Sequence, residues 1–243
     1  YRLLIQASVS FYVIFSTGIQ LESFGNLLGF GDINLGILSI PFTIFCVVGI
    51  MNAFNMIDGI NGLCAGCAMI ALILIGFHSG LIYDSMLVLI IGSMIGFLIF
   101  NLTIFGKKRG VFLGDNGSNL IGFWVAWSAI YGSQNPFYDC NPITMVWFVA
   151  IPLLDCVGLI FSRLKRRISI TSPGRDHIHH KLMNRFTPEI TLGIILMISL
   201  VSGFIGIFLS NSFDPWVSTV LFAIYASCYY LYAYYYSNFK NKI

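Results

Sequence analysis

Residues 34–62 read NLGILSIPFTIFCVVGIMNAFNMIDGING, an uncharged apolar run from Asn34 to Ile57 that ends abruptly at Asp58-Gly59-Ile60-Asn61. The hydrocarbon core of a bilayer takes about 20 consecutive apolar residues of helix. This run therefore reads as one membrane pass with a polar cluster at its end. The pattern recurs along the chain. Apolar stretches at about 3–21, 34–54, 63–83, 85–105, 119–132, 142–161, 190–210 and 214–236 predict eight passes, the fifth short and beginning inside the loop before it. Only short connections remain, so the expected fold is all-α: one polytopic membrane helical bundle over residues 1–243.

Composition agrees. Hydrophobic residues make up 57% of the chain and charged residues 9%, against roughly 25% charged in soluble domains. Six cysteines fall mostly within the apolar runs, which points to buried thiols rather than a disulfide framework. Cys64-Ala-Gly-Cys67 has redox spacing, but it opens a small-residue run where close helix packing is the simpler reading. The first apolar run is too long for a signal-peptide core and lacks a small-residue cleavage site. Further N-terminal sequence is therefore expected ahead of Tyr1.

Eight passes make the connections alternate sides, and charge then separates cleanly. All 13 Lys and Arg residues fall on one side: Arg2, Lys107-Lys108-Arg109, the cluster from Arg163 to Arg185, and Lys240 with Lys242. The opposite loops carry Glu22, Asp32, Asp84, Asp139 and Asp214 and no cation. The positive-inside rule makes the basic side cytoplasmic. Seven tyrosines between Tyr225 and Tyr236 read as an aromatic belt where the last pass meets that interface.

Three polar motifs lie on the basic side, in loops 55–62, 106–118 and 162–189. Asn52, Asn55, Asp58 and Asn61 recur every third residue, so neighbouring members share a helix face. Amides and acids at a membrane boundary can ligate a metal or read the edge of a base; the blander reading is a capped helix end. In Phe112-Leu-Gly-Asp115-Asn-Gly-Ser118, a helix start behind glycines and basic side chains is a ready anion site. A carboxylate there opposes an anion unless a divalent cation lies between them, and Mg²⁺ uses one or two carboxylates with substrate phosphates. The blander reading is again a cap. The third motif, Arg175-Asp-His177-Ile-His179-His180-Lys181, places imidazoles among cations, which fits phosphate contact better than zinc, for which a fourth ligand is needed and no cysteine is near in sequence; the blander reading is a polybasic lipid-binding loop. If helical, His177 and His180 share a face; if extended, His177 pairs with His179. Finally, Asp155 in Ile151-Pro-Leu-Leu-Asp155 lies about two turns inside its pass, where an unpartnered charge costs roughly 2–3 kcal/mol. By default it faces the bundle interior or a cytoplasmic cavity, as a supporting or helix-packing group.

NAFNMIDG, VFLGDNGS, IPLLD and RDHIHH, in this order, resemble the polyprenyl-phosphate N-acetylhexosamine-1-phosphate transferase family. The likeness is nearest its branch that initiates O-antigen and enterobacterial-antigen synthesis, and it covers roughly residues 1–190. It implies transfer of an N-acetylhexosamine 1-phosphate, with UDP-GlcNAc as favoured donor, to undecaprenyl phosphate with release of UMP. This would be the first membrane step of a cell-envelope polysaccharide, in the bacterial plasma membrane. The resemblance implies Mg²⁺ (Mn²⁺ as the alternative) held by Asp115, with Asn55 and Asp58 at the metal and nucleotide. It places Phe112 on uracil, and His177, His179 and His180 on the diphosphate, with Asn61 and Arg175 among the substrate contacts. It also implies an Asp-Asp pair and about three further passes upstream of Tyr1, about 11 in all. One departure is Asn61, which stands where the family's Asp-Gly-x-Asp-Gly pattern has an acid; an amide cannot act as a base, so Asn61 points to base or sugar contact. Expected partners are the UDP-sugar, the polyprenyl phosphate and membrane lipid. A homodimer is compatible with the chain, and nucleic acid is not expected.

The rival from another class is an anion or solute transporter with a cytoplasmic-side site. Transporters place polar groups near mid-membrane on broken helices, whereas here only Asp155 is charged well inside a pass.

Overall fold

In a computed structural model of the chain, the described residues are 1–106, 108, 110–135, 137, 140–169 and 176–240, the side chains of 234–240 excepted. They form helices α1 (Arg2–Thr17), α2 (Ser39–Ile57), α3 (Leu63–Ser79), α4 (Ser85–Asn101), α5 (Gly114–Gln134), α6 (Pro142–Phe148), α7 (Ala150–Lys165), α8 (Ile178–Met183), α9 (Pro188–Ser212) and α10 (Pro215–Lys240). Every predicted pass is helical, and α5 starts inside the preceding loop as expected. Three helices are long and apolar enough to cross a membrane, and the bent pair α6–α7 makes a fourth; α1, α3 and α4 are shorter apolar helices. The protein is a multi-pass, all-α membrane protein.

The sixth pass departs from the expected single helix. Its two parts meet at Val149 with an 83° bend. Pro152 explains the place: a proline ring collides with the carbonyl four residues earlier and supplies no N–H. That carbonyl is Phe148's, the last residue of α6.

At the centre stands α3, buried nearly all round, with Leu63, Cys64, Cys67, Ala68, Leu72 and Ile75 in the main core. Around it pack α4, α5, α6 and α9, while α2 lies along α5 and carries α1 on its outer side. The α2–α5 crossing is close because of Gly122: a Cβ there would lie 2.7 Å from Met51 Cα, so the helices touch backbone to backbone. Cys64 and Cys67 are both buried with free thiols, in keeping with the packing reading of that stretch.

Helix directions follow from the contacts at each end. Arg2, opening α1, meets Asn52 and Asn55 in the last turn of α2. Asn55 in turn meets Ser118 near the start of α5. At the other end the Leu21 N–H donates to Thr43 Oγ1 and the Glu22 N–H to Gln134 Oε1. Thus α1, α2 and α5 alternate, and the motif-bearing ends gather at the basic end of the bundle.

Candidate active site

The first motif is split by the end of α2. Asn52 and Asn55 lie in its last turns, Asp58 follows it with φ −72° and ψ 65°, and Asn61 is exposed in the turn that leads to α3. Asn52 donates to Gln6 Oε1 at 2.9 Å, and Gln6 donates to Asn119 Oδ1 at 2.6 Å. Asn55 Nδ2 donates to Ser118 Oγ at 2.9 Å and to Asp115 Oδ1 at 3.3 Å. Arg2 closes the group: its guanidinium donates to Asn55 Oδ1 at 2.9 Å and Asn52 Oδ1 at 2.8 Å, and lies 3.9 Å from Asp115. Below the turn, Asn101 accepts from the Gly62 N–H at 2.6 Å and donates to the Val111 carbonyl at 2.8 Å. One amide thereby ties the first motif to the second.

Two carboxylates face each other across this cluster. Asp115 sits exposed in the first turn of α5. Burial, and then the negative charge of Asp115, push the Asp58 carboxyl up to about 6. A pair of acids that repel in this way is relieved by a cation between them. Their donor set is hard oxygen, with an amide beside it, as Mg²⁺ prefers. Among the described residues no three of His, Cys, Asp and Glu form a ready metal cage, so substrate oxygens would have to complete the coordination. In this arrangement Asn55 Oδ1 accepts from Arg2, which leaves the second of its two lone pairs for a cation.

The histidines sit beside this cluster. His177 is extended, with φ −63° and ψ 152°, and α8 begins after it. The ring of His177 therefore stacks on His179, centroids 5.3 Å apart and planes within 17°, the pairing expected of an extended segment. His180 lies against both rings, 4.2 Å from His179 and 6.2 Å from His177. Asp155 accepts a 2.7 Å bond from His177 Nδ1 and a 2.8 Å bond from the Ile178 N–H, so the buried acid does face the interior. His179 is 1% exposed, and neither ring nitrogen has a hydrogen-bond partner. Burial, then the neighbouring imidazoles, bring its pKa down to about 4, so it is neutral at physiological pH. Its Nε2 lies directly against Gly59, where any added Cβ would overlap it. The third motif thus reaches the first.

Of the other expected site residues, Phe112 is 86% exposed on the segment before α5. Arg175 lies outside the described residues, as do Lys107 and Arg109. Three participants were not anticipated: Arg2 and Gln6 of α1, and Tyr229 of α10, whose hydroxyl donates to Asp155 Oδ1 at 3.1 Å. A signal for the first two was present, since Arg2, Gln6 and Ser10 recur every fourth residue and so share one polar stripe on an otherwise apolar helix.

The fold and this cluster define a class: a multi-pass helical membrane protein with acids, amides and imidazoles collected at one end of the bundle. Residues 1–133 match the glycosyl transferase family 4, and the chain belongs to that family. It is 34% identical over 240 residues to the undecaprenyl-phosphate alpha-N-acetylglucosaminyl 1-phosphate transferase of Escherichia coli (strain K12), covering 96% of this chain and 65% of that protein. The enzyme of the same name from Yersinia pestis is 34% identical over 230 residues, covering 92% and 63%. That from Haemophilus influenzae is 35% identical over 212 residues, covering 84% and 59%. The chain therefore spans less than two thirds of the length of these relatives.

Proposed function

We propose that the protein transfers an N-acetylhexosamine 1-phosphate, UDP-N-acetylglucosamine being the first donor to try, to undecaprenyl phosphate with release of UMP. The names of its relatives support the acceptor and the sugar, and the one-sided basic residues support a site facing the cytoplasm from the bacterial plasma membrane. The observation that carries the reading is His179. A buried imidazole with two unpartnered nitrogens is costly unless a ligand completes it, and this one lies at Gly59, next to the Asp58–Asp115 pair.

In the reaction an oxygen of the lipid phosphate attacks the β-phosphorus of the UDP-sugar. The bond from that phosphorus to the bridging oxygen breaks, and UMP leaves with the electron pair; no net proton is taken up. Two polyanions must be brought together, so positioning and charge compensation dominate. Asp58 and Asp115 would hold Mg²⁺, or Mn²⁺, which when bound supplies charge compensation for the phosphates. Arg2 fixes the two amides of α2 and adds a positive charge beside Asp115. Once the Gly59 turn moves off its ring, His179 would offer an N–H to a phosphate oxygen, and His177 and His180 flank it. Phe112 presents an exposed ring on which a uracil can stack, and the exposed Asn61 presents an amide to base or sugar.

The test is UMP release by the protein, expressed over the full length of its gene, in membranes supplied with undecaprenyl phosphate, Mg²⁺ and a panel of UDP-N-acetylhexosamines. UMP formation that needs both lipid and metal is the expected result. Silence across the panel from folded protein would remove the transferase reading.

A further inference from the structure

The tyrosine-rich end of α10 was expected to be a belt at the membrane interface. Tyr229 does something else. Its hydroxyl points into the bundle and donates to Asp155 Oδ1. Asp155, 5% exposed, thus meets three partners from two parts of the chain: His177 Nδ1 at 2.7 Å and the Ile178 N–H at 2.8 Å from the third motif, and Tyr229 of α10 at 3.1 Å. Oδ1 accepts from the Ile178 N–H and the Tyr229 hydroxyl while Oδ2 faces His177 Nδ1, an arrangement that suits an Nδ1–H imidazole and leaves Nε2 outside the pair. No other hydrogen bond of the His177 ring is present among the described residues. A second tether runs alongside, from Lys181 Nζ to the Ala233 carbonyl at 3.4 Å, one turn further along α10.

We infer that Tyr229 and Asp155 are positioning residues that lock His177 in one tautomer, with Nε2 directed to the substrate phosphates, so that α10 is part of the active site. The chemistry resembles the way a carboxylate behind a metal-bound or catalytic imidazole fixes its orientation. Tyr229 matters because Asp155 Oδ1 is otherwise held by the Ile178 N–H alone. Without the hydroxyl the carboxylate keeps only the two bonds from His177 and Ile178, and the wider range of its terminal torsion loosens the Nδ1 bond. Both residues lie outside 1–133, the part that matches the family. The kinetic arm of the inference rests on the transferase reading; the spectroscopic arm does not.

The experiment uses Tyr229→Phe and Asp155→Asn in the full-length protein in nanodiscs, with ring-¹⁵N-labelled histidine. In the unmodified protein one histidine should show the signature of a single Nδ1–H tautomer. In Tyr229→Phe that signal should become a mixture, and kcat for UMP release should fall about tenfold with KM for the UDP-sugar changed much less. Asp155→Asn should erase the signature and reduce kcat about 100-fold. A Tyr229→Phe protein that keeps the single tautomer overturns the inference, whatever its rate. So does an unmodified protein that lacks the signature. Absence of UMP from the unmodified protein would remove the transferase reading instead, and the ring-nitrogen spectra would still decide the role of Tyr229.

Discussion

Replacing Gly59 by alanine tests whether the first and third motifs meet as described. The new Cβ would overlap His179 Nε2 and stand 2.6 Å from Cε1 and 2.8 Å from Cδ2. All three are ring atoms, so no flexible tip can swing aside. The ring cannot retreat easily, because it is 1% exposed and His177, two residues earlier, is fastened to Asp155. Overpacking a site of this kind costs about 1–3 kcal/mol. Taking about 2 kcal/mol, a chain of this length should melt roughly 4–8 °C lower. The measurement is thermal unfolding in nanodiscs for Gly59→Ala, His179→Ala and the double variant. His179→Ala leaves a hole and lowers stability by itself. Adding Gly59→Ala to it should then change stability by less than about 0.5 kcal/mol, a coupling of about 2 kcal/mol. Equal destabilisation by Gly59→Ala in both backgrounds would refute the contact.

Three further outcomes are expected. Asp115→Asn should abolish Mg²⁺-dependent UMP release while leaving the melting temperature within about 2 °C, since the side chain is exposed and makes one long hydrogen bond and one long, exposed ion pair with Arg2; near-normal turnover would remove Asp115 from the metal. Asn101→Leu should lower stability by about 2–3 kcal/mol, because it orphans the Gly62 N–H and the Val111 carbonyl together; thermal unfolding reads it, and an unchanged midpoint would mean that water replaces the amide. The depressed pKa of His179 makes its share of stability complete above pH 6.5 and lost as pH falls through about 4. Linkage puts that share on the order of 3 kcal/mol. Melting temperature should therefore fall over this window, and fall less in His179→Ala.

The polar motifs were legible because each one interrupts an apolar run, and a membrane leaves few other places for acids and amides. The helical passes were legible for the same reason. The bend at Val149 was written in Pro152, but the apolar pattern runs through it unbroken and only the proline's missing N–H betrays it. Arg2 and Tyr229 were harder. Arg2 looks like one more basic residue on the cytoplasmic side until α1 is laid against α2. Tyr229 is one of seven tyrosines in a short stretch, and composition cannot tell which ring faces lipid. Spacing does better: Ser218, Phe222, Tyr225 and Tyr229 recur at intervals of four, three and four, a single helix face. Trp147 packs on that face, donating to Ser218 Oγ and touching Phe222 and Tyr225. The unpartnered state of His179 has no sequence signature at all, since it arises from which neighbours tertiary packing withholds.

The bond between His177 and Asp155 also sets a depth. Asp155 precedes the last residue of α7, Lys165, by ten residues (165 − 155), or about 15 Å of helix. The charged last turn of α7 thus projects beyond the imidazoles, which lie level with the end of α2, where His179 meets Gly59, and a water-borne reactant has to pass that turn to meet them. The lipid acceptor of the proposed transfer would approach instead by sliding within the leaflet. Its encounters are then governed by crowding in two dimensions, and the concentration that matters is its mole fraction among the surrounding lipids rather than its amount per litre.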